Sequence, residues 1–305
     1  MHECVTTSAG GYNVRSMKRY LPWWLKISAK LLASRLPVPY RTFERLGMFR
    51  HGAMTDTDYA SRIFGDHLHR AYPDGNLEGA VCLELGPGDS LISALLARAH
   101  GAAHCYLVDS DAFATRDIRI YRSFADALIK QGMPVPNLAD CSSLEQILEQ
   151  LHATYLTRGL QSLTEIAGDS IDFIWSQAVL EHVRCAEFDA TLQQLARILK
   201  PDGASSHRID LQDHLQHSLN NLRFSEALWE KQWMASSGFY TNRIRFYDMV
   251  TRFSRAGFQA AIADVDRWES LPLPRHRLDQ AFADLDQEDL NVRGFNVLLR
   301  PEHAI

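Results

Sequence analysis

The run Val81-Cys-Leu-Glu-Leu-Gly-Pro-Gly-Asp-Ser90 carries an apolar strand pattern into a turn holding Gly86 and Gly88, ahead of a helical pattern from Leu91 to Ala99. Glycines at such a turn permit φ > 0 and let a ligand approach the backbone closely. Amides opening the next helix favour a negative group, with Asp89 or Ser90 as the cap. A second strand pattern, His104-Cys-Tyr-Leu-Val-Asp109, ends in an acid 21 residues after Gly88. In doubly wound folds an acid at that place accepts hydrogen bonds from the hydroxyls of a nucleotide ribose. The plainer alternative is that Asp109 or Asp111 caps the following helix. Imidazoles and carboxylates also gather in His207-Arg-Ile-Asp-Leu-Gln-Asp-His214, and His182 stands in Val179-Leu-Glu-His-Val183.

Seven short β-rich runs have to position these groups: 81–85, 106–109, 153–157, 171–175, 205–211, 260–266 and 292–300. Helical patterns lie between most of them, and the crossover 117–154 is long enough for two helices around Met133-Pro-Val-Pro136. Alternation of this kind predicts an α/β fold with a doubly wound, mostly parallel seven-stranded sheet, helices covering both faces. Residues 214–247 form a long excursion before a helix over 248–256, and an acidic helix-like segment spans 279–289. The excursion holds Trp229, Trp233, Phe239 and Tyr240, then Arg243 and Arg245. Aromatic and basic groups over a crevice suit a flat or sugar-like acceptor with a negative group; the same aromatics could instead form a small core of their own.

At 305 residues, 46% hydrophobic and 23% charged, the chain is an ordinary globular one and needs no staple. Residues 14–50 hold nine Lys or Arg against one acid, Glu44, although the whole chain has net charge −5. This basic N-terminal helical extension, residues 1–50, precedes the main domain over 51–305. Its stretch 20–36, with Trp23 and Trp24, reads as a packed lid or as a helix making weak contact with a membrane surface. Residues 1–16 read as a disordered leader or an upstream-start artefact. Five cysteines without C-x-x-C spacing point to a reducing compartment, so a cytoplasmic location is expected.

The turn and the acid suit NAD as well as S-adenosylmethionine, and three details separate them. Leu91 stands where the dinucleotide fingerprint needs a third glycine. Glu84 lies two residues before the first glycine. Further on come Asp169-Ser-Ile-Asp-Phe-Ile-Trp-Ser176, Val179-Leu-Glu-His-Val183 and Arg197-Ile-Leu-Lys-Pro-Asp-Gly203. With these four motifs in order, the sequence resembles the class I S-adenosylmethionine-dependent methyltransferases from residue 80 to about 210, and more loosely beyond Ala256-Gly-Phe258. The resemblance implies a Rossmann-like methyltransferase fold with S-adenosyl-L-methionine as cofactor. Glu84, Gly86 and Gly88, with Pro87, Asp89 and Ser90 of the same turn, would then hold the methionine end. Asp109 and Ser110 would bind the ribose, Leu160 and Gln161 would lie near adenine, and Ser176 and Gln177 would close strand 4 beside the reactive methyl. Ser90 replaces the family's third loop glycine.

Methyl transfer from a sulfonium needs mainly alignment of the two reactants, but a hydroxyl acceptor must also lose its proton to a base. His182, His214 and Asp210 are the candidates, with a bracing role for His182 as the alternative. No partner cluster accompanies these residues, so no metal is expected. The expected reaction is methyl transfer to a small-molecule or glycan acceptor, a hydroxyl oxygen in particular; the excursion resembles methyltransferases of bacterial surface-glycan and small-molecule pathways. The competing readings are an NAD(P)-dependent oxidoreductase, which lacks a Y-x-x-x-K pair here, and a non-catalytic methyltransferase-like scaffold. A nucleic-acid partner is not expected: the strand-4 end reads Ser176-Gln-Ala-Val, not N/D-P-P-Y/F, and the acidic body repels phosphates.

Overall fold

The computed structural model describes residues 55–302. The N-terminal extension, with Trp23 and Trp24, lies outside the described residues. Helix α1 (Thr57–Ala71) starts where Asp56 accepts hydrogen bonds from the Asp58 and Tyr59 amides, and it ends ahead of Pro73. There follow β1 (Val81–Leu85), α2 (Ile92–Ala99), β2 (His104–Val108), α3 (Ile118–Lys130), α4 (Leu144–Gln150), β3 (Ala153–Leu156), α5 (Leu160–Thr164) and β4 (Ile171–Gln177). A 3₁₀ turn over Leu180–His182 leads into α6 (Cys185–Ile198) and β5 (Leu199–Asp210). Two four-residue helices, α7 (Glu226–Trp229) and α8 (Gln232–Ala235), precede α9 (Phe246–Arg255) and β6 (Phe258–Arg267). The chain closes through α10 (Gln280–Ala283), α11 (Gln287–Leu290) and β7 (Val292–Pro301).

The seven strands form one sheet in the order β3-β2-β1-β4-β5-β7-β6. β1 to β5 run parallel, and β7 pairs antiparallel with both β5 and β6. Strand order reverses between β1 and β4, which opens a crevice at their carboxyl ends. Both faces of the sheet are covered, so successive β4 side chains serve different cores. Phe173 and Trp175 pack with Phe64, Leu95, Tyr121 and Phe124 of α1, α2 and α3. Ile174 packs with Phe188, Leu192, Met249 and Phe253 of α6 and α9. Among the described residues, no helix is long and apolar enough to cross a membrane.

Several boundaries differ from the sequence reading. β5 begins at Leu199, so Lys200-Pro-Asp-Gly203 is a bulge within the strand and not a turn before it. Pairing steps from Ile171–Leu199 directly to Phe173–Ala204. Asp172 fills the gap: its carboxylate accepts from the Val81 amide at 2.8 Å and from Lys200 Nζ at 2.7 and 2.8 Å. A side chain at Gly203 would meet Leu199 Cδ1 at 2.7 Å. The acidic segment 279–289 is not one helix but the two short turns α10 and α11, and α9 starts at Phe246, two residues earlier than expected.

Candidate active site

β1 delivers the chain into Gly86 (φ +73°) and Gly88 (φ +69°), both left-handed. The Gly86 amide donates to the Val108 carbonyl at 2.7 Å, and the Gly88 amide donates to Asp109 Oδ2 at 3.0 Å. The missing Cβ of Gly86 faces a side chain: an atom there would lie 2.4 Å from Val179 Cγ2 and 2.7 Å from Cγ1. The absence of a side chain at 86 therefore admits Val179, from the segment after β4. Ser90 accepts from the Ile92 amide at 3.3 Å, whereas the Asp89 carbonyl receives the Thr115 amide.

Asp109 sits one residue past β2. Its Oδ1 accepts from the Ser110 amide at 2.7 Å, and its own carbonyl accepts the Gly159 amide at 2.8 Å. Burial raises its carboxyl above the ordinary range. Each carboxylate oxygen has more than one acceptor direction, so capacity remains for ribose hydroxyls. Beside it lies an open cavity of about 700 Å³ lined by Ser110, Gly159, Leu160, Gln161, Thr164 and Glu187, among others. Three residues assigned from the sequence to the ribose and adenine thus meet in one hollow. Asp109 itself does not line the hollow; the Ser110 and Thr157 hydroxyls, Leu160 and the Gln161 carboxamide do, and these groups fit an adenosine. Glu84 is placed differently. It is 2% exposed, takes hydrogen bonds from the Ser93 hydroxyl and from Trp175, and is pushed by burial up to about 7. In this structure it supports the turn from beneath.

At the other rim, Ser176 is fully buried and its hydroxyl pairs with His207 Nδ1 at 2.7 Å, within the sheet and not over the crevice. Gln177 projects to the opposite face, where its Oε1 lies 3.1 Å from His67 Nε2 of α1. Ala178 then takes a left-handed turn (φ 54°), its amide donating to the Arg208 carbonyl. Glu181 is 1% exposed; its Oε1 accepts the Asp210 amide at 3.1 Å while Oε2 lacks a hydrogen-bond partner. Burial, with Asp210 nearby, pushes its carboxyl up to about 8.

The structure brings His182 and His214 together across 32 residues, Nε2 to Nε2 at 3.1 Å, with rings stacked at 4.8 Å. His182 Nδ1 lies 2.9 Å from the Tyr240 carbonyl, which can only accept. The proton of neutral His182 is therefore on Nδ1, its Nε2 accepts, and His214 Nε2 must be the donor. Asp210, the third candidate, accepts at Oδ1 from the backbone and side chain of Gln212. Asp213 is spent on the loop, taking the amides of Leu215, Gln216, Ser218 and Asn220. Among the described residues, no group of three His, Cys, Asp or Glu is arranged to hold a metal ion.

Of the excursion aromatics, Trp233 is exposed and the others are packed together. Trp229, Met234, Phe239 and Tyr240 form a small core with Leu215. Arg243 lies over the Trp229 and Phe282 rings at 5.3 and 5.0 Å and donates to the Phe224 carbonyl at 2.6 Å. Arg245 donates to the carbonyls of Leu211, Asp289, Leu290 and Val292. Both guanidiniums are buried and donate through their terminal nitrogens to carbonyls at loop ends, while the Nε of each lacks a partner. Sequence reasoning passed over His67, Arg70, Val179 and Glu181. Val179 and Glu181 stood inside the Val-Leu-Glu-His-Val motif, whereas His67 and Arg70 carried no local signal.

Fold and crevice define a doubly wound α/β protein with a hollow beside the ends of β2 and β3. The methyltransferase-domain family model matches residues 57–261, more than half of the chain, and the chain belongs to that family. Its cofactor is S-adenosylmethionine. Similar solved structures include an arsenic(III) S-adenosylmethionine methyltransferase from Chlamydomonas reinhardtii (15% identity, 92% of this chain and 74% of that one, TM-score 0.44). The YcgJ protein of Bacillus subtilis follows at 16% identity, 81% and 100% coverage and TM-score 0.44. Phosphoethanolamine N-methyltransferase 2 of Haemonchus contortus matches at 15% identity, 80% and 53% coverage and TM-score 0.44. What each acts on belongs to that protein alone. No curated protein matches in sequence.

Proposed function

We propose that this methyltransferase acts in the cytoplasm on a hydroxyl oxygen of a small molecule or glycan, with His214 as the base and His182 as its positioning residue. Bound S-adenosylmethionine supplies an activated methyl whose leaving group is a neutral thioether. Asp109, Ser110, Leu160 and Gln161 would hold its adenosine part. The observation that carries the reading is the directed pair Tyr240 carbonyl, His182, His214 beside the crevice. As the acceptor oxygen takes the methyl, its proton passes to the His214 imidazole. The imidazolium so formed keeps its Nε2–H on His182, whose ring is fixed by the Tyr240 carbonyl. A positioned base of this kind contributes about 10²–10⁴-fold.

Calorimetric titration with S-adenosylhomocysteine, NADH alongside, tests the cofactor side. Micromolar binding of the homocysteine compound alone is expected, and binding of NADH alone overturns the reading in favour of an oxidoreductase. An acceptor screen with labelled methyl donor then compares the parent with His214→Gln. A hydroxyl acceptor whose turnover falls at least about 100-fold, with S-adenosylhomocysteine affinity kept, supports the base. Full turnover removes His214. Cofactor binding without turnover on any acceptor favours the scaffold reading.

A further inference from the structure

A chain of hydrogen bonds crosses from α1 to the end of β4, and its direction is set at one end. Arg70 NH1 donates to Ser206 Oγ at 2.8 Å and lies 3.4 Å from His67 Nδ1. A guanidinium cannot accept, so the Ser206 oxygen receives at that contact. Because the Arg70 N–H also reaches His67 Nδ1, that nitrogen accepts, and the single Ser206 hydrogen is directed to it, 2.9 Å away. With two donors converging on Nδ1, the proton of His67 resides on Nε2. This ring is 1% exposed, and burial followed by the Arg70 charge lowers it to about 4, so it is neutral at pH 7. Nε2–H therefore donates to Gln177 at 3.1 Å, which fixes the oxygen of that carboxamide inward. The other end is the NH₂ group, a two-hydrogen donor on a half-buried residue at the carboxyl end of β4. Among the described residues nothing accepts from it.

We propose that the Arg70–Ser206–His67 chain makes Gln177 a one-way hydrogen-bond donor at the carboxyl end of β4, so that a methyl acceptor reaching it is recognised through a lone-pair oxygen, such as that of a carboxylate. This inference rests on the crevice being the methyl-transfer site. An unconstrained glutamine amide presents either end with little difference in energy, and accepts or donates as its ligand requires. Here rotation of the amide would set its NH₂ against the His67 N–H, donor against donor in a buried place, a loss comparable to leaving a buried polar group unpaired. His67, Ser206 and Arg70 are positioning residues; Gln177 is the group that meets the ligand. The same logic disfavours an acceptor molecule that would present a hydroxyl hydrogen or an ammonium to this point.

The test uses the full chain labelled with ¹⁵N. Ring nitrogen shifts of His67, assigned by their disappearance in His67→Phe, should show the Nε2–H tautomer at pH 7. Ser206→Ala, which removes the link without touching the crevice, should give a mixture of tautomers. An Nδ1–H tautomer in the parent chain overturns the proposal. Sodium formate, the smallest carboxylate, is then titrated with and without saturating S-adenosylhomocysteine while the Gln177 NH₂ resonances are followed. They should shift and saturate in the parent. In Gln177→Glu a carboxylate oxygen still accepts from His67, so the melting temperature should hold, while formate affinity falls at least tenfold. Absence of saturable shifts in the parent, or equal formate binding in both chains, overturns the proposal. Failure of S-adenosylhomocysteine to bind counts against the methyl-transfer reading alone, because the tautomer and the formate titration without it are read independently.

Discussion

Gly86→Ala tests whether the glycine turn is shaped by its own protein neighbour. The new Cβ would lie 2.4 and 2.7 Å from the two Cγ atoms of Val179, on a backbone at φ +73°. The left-handed conformation costs an alanine about 1–2 kcal/mol, and forcing the overlap adds about 1–3 kcal/mol. The expected loss is thus about 2–5 kcal/mol, with melting falling by about 2–4 °C for each kcal/mol in a domain of this size. Val179→Ala removes both offending carbons and leaves only Cβ, 3.2 Å from the new atom. In a double-mutant cycle read by urea unfolding, the second substitution should therefore recover about 1–3 kcal/mol of the first loss, leaving the backbone strain. Additivity within about 0.5 kcal/mol refutes the steric reasoning and returns the glycine to backbone conformation alone. S-adenosylhomocysteine titration of the double variant then separates the ligand's demand on position 86 from that of Val179.

Asp109→Asn should weaken S-adenosylhomocysteine at least tenfold, about 1.4 kcal/mol, while one oxygen still accepts an amide hydrogen and the fold holds; unchanged calorimetric affinity removes Asp109 from the site. Glu181 should mark the pH dependence of stability. Its carboxyl rises from 4.5 to about 8 on burial, so the folded chain holds that proton more tightly. Its contribution is full below the unfolded value and is lost as pH climbs through the folded one. Glu181→Gln should accordingly gain melting temperature relative to the parent as pH is raised across that interval, and a pH-independent difference contradicts the assignment. Asp172→Ala strips the Val81 amide and Lys200 of their shared acceptor, for a loss of about 1.5–3 kcal/mol by urea unfolding; a negligible change would show that the β5 bulge does not depend on it.

Much of this was readable from residues close together in the chain. Short β-rich runs between helical patterns located all seven strands, because strands covered on both faces read as near-continuous apolar runs whatever they later pair with. Asp56, Asp117 and Ser143 cap helices by reaching amides two or three residues away, a local event that sequence states directly. Gly86, Gly88 and Asp109 were likewise visible as types at a spacing. Their partners were not. Val179 reaches Gly86 only because β4 lies beside β1, an adjacency set by the strand order. His67 meets Gln177 across 110 residues and Ser206 across 139, distances at which periodicity carries no signal. The cap aromatics and Arg245 show the converse limit. Their composition suited a ligand, yet burial required the rings to pack on one another and the guanidinium to meet loop carbonyls. The sequence by itself determined the strand and helix alternation, which follows from short-range patterning, and its four ordered motifs carried the family resemblance that implies the cofactor class. The direction of each hydrogen-bond chain was decided only when tertiary packing put an obligate donor or acceptor, Arg70 or the Tyr240 carbonyl, at its end.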